Sequence, residues 1–105
     1  MPARVNKENF DAEVLSSEIP VLVDFFSDSC VPCKKIALVL SKLESEYADR
    51  LKIVKVNVNF DEELAVKYNI EATPTLLLLN KGDEVSRLKG AVSKDEIVSL
   101  TDKIK

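Results

Sequence analysis

Histidine and tryptophan are both absent from the 105 residues, and cysteine occurs only twice, as Cys30 and Cys33. Without an imidazole, Ser-His-Asp or Cys-His hydrolysis, His-ligated haem and the His-Glu-x-x-His site of metalloproteases are all excluded. A structural zinc site within one chain is excluded as well, because it needs about four Cys or His ligands. The chemistry that is left is centred on the two cysteines.

Positive charge in excess and long apolar segments are also missing. The 18 acidic and 15 basic residues give a net charge of −3, so there is no cationic field to hold a phosphate backbone. No apolar run approaches the roughly 20 residues of a membrane helix, and the first residues lack the apolar stretch of a secretion signal. We therefore expect one domain, residues 1–105, in the cytoplasm, with neither nucleic acid nor a membrane as partner.

Apolar periodicity predicts four helices and four strands in the order α-β-α-β-α-β-β-α. Helical spacing is found at about 7–17, 31–48, 61–68 and after Ser93, where Ile97, Leu100 and Ile104 share one stripe. Strand patterns cover 21–26, 51–58, 75–79 and 84–89. Strands that alternate with helices predict an α/β fold with helices on both faces of the sheet, and the last two strands form a hairpin.

The two cysteines are three residues apart at the predicted start of the second helix. This separation allows a disulfide, whose Cα atoms are typically about 4.4 to 6.8 Å apart. Such a short loop stabilises a fold by only about 2 kcal/mol, so the pair is better suited to redox cycling than to bracing. The helix N-terminus favours a thiolate on Cys30, whereas Cys33 lies one turn inside and is expected to be buried. Pro32 is well suited to the first turn.

A series of short segments resembles the thioredoxin family over nearly the whole chain. A lone Cys-x-x-Cys motif is only moderately specific, but several family segments in order at compatible spacing are strongly so. The segments are Val23-Asp24-Phe25-Phe26, Cys30-Val31-Pro32-Cys33-Lys34, Lys55-Val56-Asn57-Val58, Tyr68-Asn69-Ile70 and Thr73-Pro74-Thr75-Leu76, with Gly82 and Gly90 at two further family positions. The resemblance implies a mixed central β-sheet flanked by four α-helices, in which the strand after Pro74 is antiparallel to the strand of Asp24.

The resemblance also implies a thiol–disulfide oxidoreductase that reduces protein disulfides, carries electrons and maintains cell redox homeostasis. In this scheme Cys30 attacks the target disulfide and Cys33 then releases the reduced target. Asp24 accepts the Cys33 proton through a water, and Lys55 tunes that acid. The Cys30–Cys33 disulfide replaces any separate cofactor, and no metal is implied. The implied partners are disulfide-containing target proteins and a thioredoxin-reductase-like electron donor, and the chain acts as a monomer.

Six residues are implied to contact substrate. The family has a cis proline at Pro74, and the backbone of the residue before it pairs with an extended substrate segment. Two of the departures from the family lie in the active-site turn, where Ser29 stands at a position usually held by a tryptophan and Val31 replaces a glycine. These departures act on target range and on redox potential. The six residues are Ser29, Val31, Pro32, Thr73, Pro74 and Gly90.

Each implied site residue also has an ordinary structural explanation. The cysteines fit as small core residues, and Asp24 as a solvent-facing acid on an edge strand. Lys55 fits as an exposed strand lysine, Pro74 as a trans turn proline and Gly90 as a strand end.

Two other classes of function compete with the reductase. One is a binding or adaptor module that keeps the fold but has a cysteine pair that does not cycle, an idea that Ser29 and Val31 motivate. The other is a dimer that shares four thiolates around zinc or an iron–sulfur cluster.

Overall fold

A computed structural model of the protein describes residues 2–90 and 92–103. Five strands form one mixed sheet in the spatial order β1-β3-β2-β4-β5. The first three strands in that order are mutually parallel, and β4 and β5 are each antiparallel to the preceding strand. The predicted α/β architecture is confirmed, including the antiparallel pairing of β4 with the strand of Asp24. The strands are β1 (Ala3–Arg4), β2 (Val21–Phe26), β3 (Lys52–Asn57), β4 (Thr75–Asn80) and β5 (Asp83–Lys89).

Helices cover both faces of the sheet and divide the core into two clusters. A π-helix (Asp11–Leu15) and α2 (Glu62–Lys67) lie over one face, where Phe10, Val14 and Leu64 pack against the sheet. On the other face are α1 (Val31–Glu46) and α3 (Lys94–Asp102). None of the described helices is long and apolar enough to cross a membrane. Because β2 and β4 are covered on both faces, their runs are apolar at nearly every position.

Local sequence signals account for several ends of these elements. The Asn6 side chain accepts hydrogen bonds from the N–H groups of Glu8 and Asn9, as an N-cap does. Ser93 and Glu96 form the predicted capping box at the start of α3. Asn69 has φ of 55°, the left-handed conformation expected just after α2. Ile104, which the sequence assigns to the α3 stripe, lies outside the described residues.

Two features differ from the predicted elements. The helix predicted over about 7–17 is a π-helix of only five residues, in which the Ser16 N–H donates to the Asp11 carbonyl. A π-helix buries Phe10 and Val14 as well as an α-helix would, so the spacing of apolar residues does not distinguish the two helix types. The strand β1 was not predicted at all, because two residues are too few to form a pattern.

The two core clusters predict a large difference between two leucines. Leu77 on β4 is fully buried, whereas Leu38 on α1 is 78% exposed. Leu77→Ala is expected to lower the free energy of unfolding by about 2 to 5 kcal/mol, because it leaves a cavity in a covered sheet. Leu38→Ala is the matched control and should change that free energy by less than about 0.5 kcal/mol. Urea denaturation of both variants measures the difference, and equal effects would contradict the assigned core.

Candidate active site

The cysteine pair forms the first turn of α1. Cys30 is the N-cap residue, and its Sγ accepts a hydrogen bond of 3.1 Å from the Cys33 N–H. The two cysteines form a disulfide with Cα atoms 5.2 Å apart. Pro32 lies within the first turn, where its missing N–H has no helical partner to lose. The predicted position of the pair at a helix start is therefore confirmed.

Both cysteine side chains are largely covered in this disulfide form. Cys30 is 7% exposed and Cys33 is 6% exposed. Cys33 is buried, as expected, but Cys30 is buried to the same extent, so the disulfide form shows no contrast in exposure between them. The sulfur–sulfur bond draws the two side chains together, so each one shields the other from solvent. Any difference in reactivity between the two sulfurs in this state has to come from orientation and neighbours.

Asp24 lies in the middle of the sheet rather than at its edge. Its strand, β2, pairs with β3 on one side and β4 on the other, where Lys55 and Leu76 are its register partners. The side chain is 6% exposed, and its Oδ1 has no hydrogen-bond partner among the residues the structure describes. Burial raises the pKa of Asp24 to about 7, and the positive charge of Lys55 lowers that pKa in part. The alternative of a solvent-facing acid on an edge strand is excluded.

A cavity of about 210 Å³ brings the buried acid and the inner cysteine to one place. It opens beside the start of α1 and has room for several waters. Asp24, Lys55 and Cys33 all contribute to its wall, so three of the four predicted catalytic residues meet there. The complete lining is Asp24, Phe26, Ser27, Asp28, Cys33, Lys34, Ala37 and Lys55.

The loop before β4 is held against the active-site loop by hydroxyl groups. The Thr73–Pro74 peptide bond is cis, which confirms that prediction. The hydroxyls of Thr73 and Ser27 are 3.2 Å apart. The Thr75 hydroxyl donates to the Ala72 carbonyl at 2.7 Å. The first contact places Thr73 next to the loop that leads to the cysteines, and the second lies within the loop before β4.

Gly90 completes the same region from the end of β5. Its N–H donates to the Pro74 carbonyl at 2.8 Å, and its φ is 78°. A Cβ at this position would meet no atom within 4 Å, so the left-handed backbone, rather than crowding, favours glycine here. Gly90 thus directly follows β5, and its N–H extends the pairing of β5 with the residue before β4.

The outer surface of the active-site turn is formed by Ser29 and Val31, two of the residues that depart from the family. Ser29 is exposed, and Val31 is 59% exposed. Pro32 is half-buried between Val31 and Cys33. The structure thus separates an inner group, which shares the cavity, from an outer group on the surface. No cluster of three or more Cys, Asp or Glu side chains suited to a metal occurs in the described part of the chain.

Three contributors to the site were missed by sequence reasoning. Ser27 contacts the loop of Thr73, and Phe26 lines the cavity. Asp28 accepts a hydrogen bond of 3.1 Å from the amide of Asn57, which is fully buried. All three follow Asp24 within four residues, and their closeness to that acid is the one signal that could have marked them.

The raised pKa of Asp24 predicts a specific effect of pH on stability. The unfolded chain ionises this carboxyl near pH 3.8 and the folded chain near pH 7. Between these values only the unfolded state is ionised, so stability falls as pH rises, and the loss is complete above about pH 7. The difference between these two pKa values corresponds to a loss of about 4 kcal/mol in the free energy of unfolding. Asp24→Asn should therefore raise the free energy of unfolding by up to that amount at pH 8 and by much less at pH 4.

Urea denaturation of the disulfide form at pH 4, 6 and 8 measures this effect. Asp49→Asn, which changes an exposed aspartate, is the matched control and should retain the pH dependence of the wild type. A constant difference between Asp24→Asn and the wild type at all three pH values would contradict the assignment.

Comparisons with known proteins agree with this geometry. A family model described as thioredoxin matches residues 1–103. "Thioredoxin C-2" of Corynebacterium nephridii is 48% identical over 95 residues, which cover 90% of this chain and 88% of that protein. "Thioredoxin 1" of Synechococcus elongatus is 40% identical over 101 residues, which cover 96% of this chain and 94% of that protein. "Thioredoxin" of Haemophilus influenzae is 38% identical over 96 residues, which cover 91% of this chain and 90% of that protein. The chain therefore belongs to the thioredoxin family and is a protein-disulfide reductase, a thiol–disulfide oxidoreductase whose redox group is its own Cys30–Cys33 pair.

Proposed function

We propose that Cys30 is the attacking sulfur of this reductase and Cys33 the resolving sulfur. The Cys30 thiolate attacks one sulfur of a target disulfide, so that a mixed disulfide forms and the other target sulfur leaves as a thiolate. The Cys33 thiolate then attacks Sγ of Cys30. This step restores the Cys30–Cys33 disulfide and releases the second target sulfur as a thiolate. Two electrons have then passed to the target, whose thiolates take up protons from solvent.

The observation that carries this assignment is the different placement of the two sulfurs. Cys30 is the N-cap of α1, where the N–H groups of the first turn favour a negative charge. Cys33 lines the cavity that it shares with Asp24. A carboxyl with a pKa of about 7 can accept a proton from the Cys33 thiol near neutral pH. In the proposed mechanism a water in the cavity carries that proton, and Lys55 adjusts the acidity of Asp24.

The proposed substrate site is the surface around the cis proline. An extended segment of the target pairs with the backbone of Thr73, as a strand added to a sheet edge would. Pro74 and Gly90 form the floor beside it, an arrangement supported by the hydrogen bond between them. Ser29, Val31 and Pro32 contact the target from the active-site turn. In this arrangement the backbone supplies affinity, and the exposed side chains of the turn supply discrimination.

The proposed partners are disulfide-containing proteins as targets and a thioredoxin-reductase-like protein as electron donor. The working unit is a monomer with one domain, residues 1–105, a boundary that the family match over 1–103 supports. The cytoplasm is the proposed location, where the protein carries electrons and contributes to redox homeostasis. Both cysteines of the chain belong to the redox pair, and this suits a reducing compartment in which structural disulfides are rare.

Single cysteine variants test the assigned roles. Cys30→Ser should lose all acceleration of insulin reduction by dithiothreitol, because the attacking sulfur is gone. Cys33→Ser should still attack a target but remain linked to it, since no thiolate resolves the mixed disulfide. Mass spectrometry of the protein with a disulfide peptide detects that adduct. An adduct formed by Cys30→Ser and not by Cys33→Ser would reverse the roles.

The hydroxyl contact between Thr73 and Ser27 predicts a second kinetic effect. Thr73→Val removes the contact and loosens the loop that positions the target. A hydrogen bond of about 1 kcal/mol corresponds to about a fivefold fall in the second-order rate constant for reduction of a peptide disulfide. Ser27→Ala should give a similar fall, and the double variant should show no further loss. Thr73→Ser keeps the hydroxyl and is the control. Additive losses would show that the two residues act separately.

A further inference from the structure

One face of the sheet carries a row of charged side chains that ends at the buried acid. Arg4 on β1 is the register partner of Lys55 on β3, and Lys55 is the register partner of Asp24 on β2. Register partners project from the same face of a sheet. The next position in the row, on β4, is the apolar Leu76. Two cations therefore precede the Asp24 carboxyl along the row, and no charge follows it on β4.

Phe26 lies on the same face as this row, two residues after Asp24 on β2. The Lys55 Nζ is 5.6 Å from the centre of the Phe26 ring, and the guanidinium carbon of Arg4 is 6.0 Å from it. Both distances are within the range of about 6 Å at which a ring attracts a cation. Arg4 also lies 4.9 Å from the centre of the Phe60 ring. Phe26 is thus placed to hold the Lys55 ammonium in the cavity wall.

Lys55 does not form an ion pair with its neighbouring acid. Among the described residues, the ion pairs with N–O distances of 4.0 Å or less do not include Asp24. The Lys55 ammonium therefore acts on the carboxyl through space, at a distance longer than a hydrogen bond. The ring of Phe26 and the carboxylate of Asp24 are two alternative sites for one cation.

We propose that Phe26 is a positioning residue that holds the Lys55 ammonium beyond ion-pair distance from the Asp24 carboxyl. This inference deepens the proposed roles of Asp24 and Lys55 and rests on them for its functional meaning. A direct ion pair would favour the carboxylate strongly and weaken Asp24 as a base. With the ammonium held on the ring, the carboxyl binds and releases a proton near neutral pH, where the reaction takes place.

Other charged or titratable groups face Asp24 from the elements around it. Cys33 and Lys34 on α1 and Asp28 in the preceding loop line the same cavity. Asp28 accepts a hydrogen bond from the Asn57 amide, which fixes one of its oxygens. In the disulfide form Cys33 carries no titrating thiol. The competition between ring and carboxylate for Lys55 is therefore measured most simply in the oxidised protein.

The test is a titration of the Asp24 carboxyl by carbon-13 NMR in the oxidised protein, with labelled aspartate. Phe26→Leu removes the ring and frees Lys55 to pair with Asp24, so the pKa of Asp24 should fall by about one unit, the lower end of the effect of a nearby opposite charge. Phe26→Trp retains a ring that attracts cations and should leave the pKa near that of the wild type. An unchanged or raised pKa in Phe26→Leu would overturn the proposal.

A double-mutant cycle separates the ring's effect on Lys55 from its effect on hydration. In a Lys55→Met background, Phe26→Leu should leave the pKa of Asp24 unchanged. A fall of the same size there would mean that water entering the enlarged cavity is the cause, and the proposal would be wrong. Arg4→Gln removes the other cation near the ring without touching the cavity lining and should shift the pKa less than Phe26→Leu does.

A measurement on the wild type keeps the proposal testable if Phe26→Leu does not fold. The ε-methylene protons of Lys55 should show an upfield ring-current shift, and a shift typical of a free lysine would overturn the proposal. Activity is a separate readout. If Asp24→Asn leaves the release of the mixed disulfide unimpaired, the proposed proton transfer fails, whereas the titrations still decide the position of Lys55.

Discussion

The buried carboxyl of Asp24 is the constraint on which the rest of the site depends. Its strand is paired on both edges and covered on both faces, so the side chain is buried and borders the cavity beside α1. Leucine occupies the neighbouring inward positions, Leu22 on the same strand and Leu76 across from the acid. An apolar residue in place of Asp24 would stabilise the fold. The proposed role of Asp24 as a proton acceptor near neutral pH, where its pKa lies, accounts for a carboxyl at this buried position.

The start of α1 supplies the second half of the chemistry without a histidine. An N-cap side chain normally accepts a hydrogen bond from an N–H of the first turn, and here Sγ of Cys30 accepts one from the Cys33 N–H. The same N–H groups and the helix dipole favour a thiolate when the disulfide is reduced. In the proposed mechanism Asp24, which accepts the Cys33 proton, lies on the sheet, and the two sulfurs lie at the start of the helix. The cavity lies between these elements. With Asp24 in its wall as the proposed proton acceptor, the mechanism needs no imidazole.

Periodic burial made much of this fold predictable. The bounds of β2, α1 and β4 agree closely with the sequence patterns because each element is covered along its length. The strand β1 and the π-helix were missed or misassigned, since neither leaves a distinct pattern. The neighbours of Asp24 were implied by family resemblance rather than by pattern. Register between strands depends on contacts between distant residues, and the pairing of Asp24 with Lys55 spans 31 positions of the chain. For the same reason, no local pattern indicates that Ser27 has Thr73 as its partner or that Phe26 has Lys55.

The proposed mechanism assigns reactivity and target recognition to different residues. In the proposed mechanism proton transfer uses Asp24 and Cys33, which line one cavity, whereas Ser29 and Val31 lie on the outside of the turn. Pairing with the backbone of Thr73 does not depend on the side chains of the target, so it gives little discrimination by itself. In the proposed substrate site the small hydroxyl of Ser29 and the exposed branched side chain of Val31 therefore supply the discrimination between targets. Substitutions there can change which targets are reduced while the environment of Asp24 is preserved, because neither residue lines its cavity.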